Sequence, residues 1–85
     1  MLPHPTDDLW RHWGKAVSAR RRGQGLTQFQ LAQAVGVAIG TISDIERGVA
    51  GGSDQTKFDI AAQLDCEVGD LFAYPSTKAP AEVAS

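Results

Sequence analysis

The chain has 85 residues, a single cysteine and a formal net charge of −2. That length accommodates one small domain with a modest core, whose stability rests on tight helix packing or on a partner. One cysteine excludes a disulfide framework and a zinc cluster, no apolar run approaches a membrane span, and the first residues lack the basic region and apolar core of a signal peptide, so a cytoplasmic protein is expected.

Charge is unevenly spread. Residues 1–22 hold the basic groups Arg11, Lys15, Arg20, Arg21 and Arg22 against Asp7 and Asp8. Residues 44–70 hold Asp44, Glu46, Asp54, Asp59, Asp65, Glu67 and Asp70 against Arg47 and Lys57. The mild negative average argues against nucleic acid, but local potential governs a phosphate contact and the positive pole can still make one.

In chain order, residues 1–5 contain two prolines and should be extended. Thr6 suits an N-cap, with Asp7 and Asp8 near the positive end of a first helix running to about Arg22. Trp10, Trp13, Val17 and Arg20 share one side of it, with Leu9 and Ala16 beside them. Trp13 reads as core, whereas Trp10 either caps the core or meets a partner. Gly23 and Gly25 break the helix. Thr27 and Gln30 form a T-x-x-Q capping box, and Leu26 and Leu31 stand at the positions of a hydrophobic staple. Leu31, Ala32 and Val35 give the second helix its apolar face, and Gly36 stands where a left-handed C′ residue is needed. A third helix starts near Ala38, turns Ile42 and Ile45 inward and stops at Gly48, with Val37 and Ile42 as a second staple. Gly51-Gly52-Ser53 is a flexible connector. Ser53 or Asp54 caps a fourth helix that runs to about Leu64 with Phe58, Ile60, Ala61 and Leu64 as its apolar set. Cys66 packs like a small hydrophobe. Asp70, Leu71 and Phe72 belong to a short fifth helix that ends at Tyr74-Pro75. Residues 76–85, rich in Ala, Pro and Ser, read as a disordered tail. The expected organisation is an N-terminal arm and cap over 1–8, a domain over 9–75 and a tail over 76–85.

Helix, glycine turn, helix is the helix-turn-helix plan, in which the second of the two helices enters the DNA major groove. The residues that carry it are Leu26-Thr27-Gln28, Leu31-Ala32, Val35-Gly36-Val37, Thr41-Ile42-Ser43 and Ile45-Glu46-Arg47-Gly48. With Arg21 before them and residues 64–72 after, this set resembles the Xre-type helix-turn-helix family, the lambda-repressor-like domain of phage repressors and Cro proteins. The resemblance spans roughly residues 10–72. It implies an all-α, compact five-helix fold with the motif at the second and third helices.

The same resemblance implies the site. Ile39, Gly40, Thr41, Ser43 and Asp44 would face the base edges, and Thr27, Gln28, Arg47 and Lys57 the phosphates. Arg21 would pair with Glu46 as a partly buried structural ion pair, leaving Arg20 and Arg22 for solvent or phosphate. Chemically, the N-terminus of the second helix can receive a phosphate, with Gln28 adding a donor. Thr41 can bond a phosphate or a base edge, Ile39 can meet a thymine methyl, and Asp44 can accept from a cytosine amino group. Three residues depart from the family's pattern: Ala38 stands where Ser or Thr often caps the recognition helix, and Ile39 and Gly40 stand where many relatives carry amide or basic base readers, Gly40 also weakening that helix by about 0.5–1 kcal/mol relative to alanine.

Enzymatic chemistry has little support. His4 and His12 lie near Asp7 and Asp8, but no cysteine or second histidine stands at a ligand spacing, and no catalytic set or cofactor fingerprint is present. The expectation is a sequence-specific, double-stranded-DNA-binding transcriptional regulator of phage or mobile-element type. It would act as a homodimer, formed in solution or on DNA, meeting itself around Leu71, Phe72 and Tyr74, with Trp10 as the second choice. A second reading is an antitoxin that binds a toxin and represses its own operon, for which the acidic second half and the same apolar residues would serve. A third is a protein-interaction adaptor with little DNA binding, favoured by Gly40 and the acidic balance.

Overall fold

The structure, a computed structural model, describes residues 5–74; of the segment 1–5 expected to be extended, Pro5 is helical and residues 1–4 lie outside the described residues, as does the tail. Five helices follow one another: α1 (Pro5–Gly23), α2 (Gln28–Val35), α3 (Ile39–Arg47), α4 (Asp54–Gln63) and α5 (Val68–Leu71). Among the described residues there is no strand. The first helix begins at Pro5, so Thr6 lies inside its first turn instead of capping it; a proline's fixed φ and missing N–H suit that opening position.

Each boundary of the central pair closes locally. Thr27 Oγ1 accepts from the Gln30 N–H at 3.0 Å while the Gln30 side chain accepts from the Thr27 N–H at 2.9 Å. Gly36 adopts φ 86° and, with Val37, donates to the Ala32 carbonyl at 2.8 and 3.0 Å. Ala38 gives α3 no side-chain cap, and α3 ends on Gly48 at φ 78°. Of the two candidates for the fourth cap it is Ser53, whose Oγ accepts from the Thr56 N–H at 3.2 Å. After α4 the chain reverses through Asp65 at φ 57°, a left-handed position that aspartate tolerates better than most residues.

The core is shared by all five helices. Trp13 and Val17 come from α1, Leu31 and Ala32 from α2, Ile42 and Ile45 from α3, Ile60, Ala61 and Leu64 from α4 and its end, and Leu71 and Phe72 from α5 and its end. Fully burying one such leucine or isoleucine stabilises the fold by about 1.5–3 kcal/mol. Two expectations are corrected here. Phe58 is 58% exposed and Phe72 only 5%, because the inward face of α4 is already filled by Ile60, Ala61 and Leu64. Leu71 and Phe72 are likewise interior, which leaves only an edge of Phe72, in the groove beside Phe58 and Tyr74, to a second copy or a toxin.

Trp13 explains why the C-terminal segment folds back. Its indole N–H donates to the Ala73 carbonyl at 2.8 Å, and its rings meet Phe72 and Tyr74 edge-on at 5.6 and 5.3 Å. Trp10 lies instead against Gly51, where an added Cβ would come within 2.7 Å of its Nε1. It therefore packs on the chain's own α3–α4 connector. Gly14 marks the crossing of α1 over α3, where a Cβ would meet the Ile45 and Glu46 carbonyl oxygens. No sequence signal distinguished this glycine from a helix defect.

Candidate nucleic-acid interface

Helix α3 divides cleanly between inside and outside. Ile42 and Ile45 are buried, while Ile39 is 48% exposed and Gly40 has open space around it. Thr41, Ser43 and Asp44 are half-buried on the flanks. The residues expected to face base edges thus share an accessible surface at the start of a helix whose first turn carries no side-chain cap. The Thr41 N–H bonds the Ala38 carbonyl at 3.0 Å, while the N–H groups of Ile39 and Gly40 and the positive dipole end remain open.

At the start of α2 the capping box uses the Gln30 N–H and the Leu31 N–H bonds the Thr27 carbonyl, which leaves the N–H groups of Gln28 and Phe29 without an intrahelical partner. Thr27 is exposed there and Gln28 half-buried. The Gln28 side chain is tied inward, its Nε2 donating to Glu46 Oε1 at 3.0 Å. Nothing in their separation of 18 residues pointed to this contact.

Glu46 is the hub of the arrangement. Arg21 Nε donates to its Oε2 at 2.6 Å and Arg21 Nη2 to its Oε1 at 3.0 Å, a two-bond fork with the side chains 9% and 5% exposed. Arg21 Nη1 also donates to the Leu26 carbonyl at 2.7 Å. Burial pushes the Glu46 carboxyl up, but the hydrogen bonds from Arg21, Gln28 and Ser18 together with the Arg21 charge outweigh it, and its pKa is lowered. The bond to Glu46 raises the Arg21 pKa against the cost of burial. The pair stays charged, and it links α1 to the last turn of α3.

The other cations are less free than their sequence positions suggest. Arg47 Nη2 donates to Asp44 Oδ1 at 2.6 Å, both side chains being about half exposed or more, so a proposed phosphate contact and a proposed base reader begin as partners. Lys57 does not stand free for phosphate. Its ammonium sits 4.2 Å above the Trp13 ring and 5.9 Å from that of Phe72, where the ring quadrupoles hold it. Arg20, left for solvent or phosphate on sequence grounds, donates to the Leu64 and Asp65 carbonyls at 3.3 and 3.2 Å, and Gln24 adds 2.6 Å to Leu64. These two side chains cap the C-terminal end of α4. Arg22 and Lys15 are exposed. His12 is a surface residue, while His4 lies outside the described residues. Cys66 is half-buried against the core, and burial raises its pKa.

The profile of the helix-turn-helix family matches residues 17–71, which is most of the described chain. Among solved structures, the chain resembles the crystal structure of the clp gene regulator ClgR from Corynebacterium glutamicum, with 30% identity and a TM-score of 0.73. That likeness covers 81% of this chain and 71% of the other. No curated protein matches the chain. Among the described residues no helix is long and apolar enough to cross a membrane.

Proposed function

The chain belongs to the helix-turn-helix family, and from that premise we propose that it is a transcription regulator acting as a sequence-specific, double-stranded-DNA-binding repressor of phage or mobile-element type in the cytoplasm. The observation that carries the reading is the split of α3: its core face is sealed by Ile42 and Ile45, while Ile39, Gly40, Thr41, Ser43 and Asp44 and an uncapped positive end face outward. A helix presented this way enters the major groove with its N-terminal residues against base edges. Thr27, Gln28 and the unpaired N–H groups at the start of α2 then meet the flanking phosphates. Arg47 joins them once DNA draws it from Asp44. Repression is steric, through occupation of an operator.

So few phosphate contacts give one copy weak binding. The regulator therefore works as a homodimer on two half-sites about one helical turn apart, ~34 Å. With Leu71 and Phe72 interior, the self-contact falls to Phe58 and Tyr74, 58% and 69% exposed. They flank a groove of about 230 Å³ lined also by Asp54, Lys57, Val68 and an edge of Phe72.

The test is selection of bound duplexes from a random pool, followed by competition at several salt concentrations. Enrichment of a two-part motif, with affinity falling steeply as salt rises, is expected. A pool that stays random through successive rounds would sink the reading.

A further inference from the structure

Glu46 does more than neutralise Arg21. Its Oε1 accepts from two donors, Arg21 Nη2 and Gln28 Nε2, each at 3.0 Å, while Oε2 takes Arg21 Nε at 2.6 Å. One carboxylate near the end of α3 thus holds α1 and the first residue of α2 together. An ionised carboxylate can only accept, so the end of the Gln28 amide turned towards it must be the NH2 and not the carbonyl. An amide that could otherwise flip has its orientation set by charge. Glu46 takes one of its two protons. A bare carboxylate here would repel a phosphate at the start of α2, but the Arg21 fork cancels that charge, and the pair carries no net charge.

We propose that Glu46 is a positioning residue for phosphate binding: by gripping one proton of the Gln28 amide it holds the second aligned for a DNA phosphate at the N-terminus of α2. This rests on the DNA-binding reading above. The gain is preorganisation, since the rotamer freedom of Gln28 is already lost before DNA arrives. Arg21 acts through Glu46 and touches no DNA in this role.

The probe is the duplex enriched by selection, carrying one uncharged methylphosphonate that is moved a phosphate at a time along each strand. The wild-type chain should lose affinity on the order of tenfold when the replacement falls opposite Gln28, as for a hydrogen bond to a charged group. Gln28→Ala should lose clearly less on that replacement, keeping only the share that the backbone N–H groups of α2 contribute. The decisive variant is Arg21→Met/Glu46→Met, which removes both charges and keeps an apolar, folded contact. It should show the same reduced loss at that phosphate as Gln28→Ala while keeping the wild-type loss at the phosphate opposite Arg47. If it retains the full tenfold loss opposite Gln28, Glu46 is structural only and the proposal is overturned. Should that variant fail to fold, relaxation of the Gln28 side-chain amide in the DNA-free wild-type chain decides instead. A side-chain order parameter that approaches the value of about 0.85 typical of rigid backbone supports positioning, and one clearly below that value refutes it. A wild-type chain that binds no duplex removes the DNA-binding reading itself, whereas binding with unchanged phosphate sensitivity in the double variant removes the positioning role alone.

Discussion

Replacing Gly14 with alanine sets helix propensity against tertiary packing. Gly14 lies mid-way along α1, where alanine is preferred over glycine by about 1 kcal/mol. On propensity alone Gly14→Ala stabilises the protein. In the fold, however, the new methyl would come to 2.5 Å from the Ile45 carbonyl oxygen and 2.8 Å from the Glu46 carbonyl carbon, and nearer still to the Glu46 oxygen. An ordinary contact needs about an ångström more. The obstacles are backbone atoms of α3 and cannot swing aside, so α1 must lift off the helix it chiefly packs against. Overpacking of this kind costs about 1–3 kcal/mol and more when rigid backbone is involved. Set against the propensity gain, a net loss of about 1–2 kcal/mol remains. For a domain of this size that lowers the melting temperature by about 4–8 °C per kcal/mol. Thermal and urea melts of the wild type and Gly14→Ala read it directly, with Gly40→Ala as the control. Gly40 is also helical but faces open space, so its alanine variant should gain about 0.5 kcal/mol. If Gly14→Ala melts at or above the wild-type temperature, the α1–α3 crossing is not as described.

Arg21→Ala and Glu46→Ala should each cost about 3–5 kcal/mol by stranding a buried charge, and the double variant should lose clearly less than their sum in a double-mutant cycle; strict additivity would argue against the pair. Because the Glu46 pKa is lowered on folding, its contribution is complete at neutral pH and is lost as pH falls from the usual glutamate range, about 4, through the lower folded value, so acid titration of stability should flatten in Arg21→Met/Glu46→Met. Phe58→Ser should leave monomer stability within about 0.5 kcal/mol, whereas Ile60→Ala, two residues on, should cost about 2–5 kcal/mol; comparable losses at both sites would contradict the facing of α4. Asp44→Ala should release Arg47, raising non-specific affinity and steepening the salt slope by about one unit while weakening discrimination at one base pair by about 1–3 kcal/mol. An unchanged sequence profile would remove Asp44 from the readers.

What the sequence by itself determined is whatever closes within a few residues. The Thr27–Gln30 box spans three positions, Gly36 and Gly48 end helices on their own backbone freedom, and Ile42 and Ile45 announce the inner face of α3 by spacing. These features depend on local hydrogen bonds and periodicity, so they can be read without knowing what lies beside them. The pairing of Arg21 with Glu46 was legible for another reason: it came with the family resemblance, not with any local rule. The tertiary structure alone decided which of several equivalent candidates went inside. Phe58 and Phe72 read alike in one dimension. Trp13, binding the Ala73 carbonyl across 60 residues, draws Phe72 into the core and leaves Phe58 outside. Arg20 and Gln24 look like loose polar residues at a helix end until α4 brings its last carbonyls to them from 40 or more residues away. Gly14 looks like a weakness until α3 crosses it. In each case the deciding partner is distant in sequence, and its arrival depends on how the other helices have already filled the core, a packing outcome that no local propensity encodes.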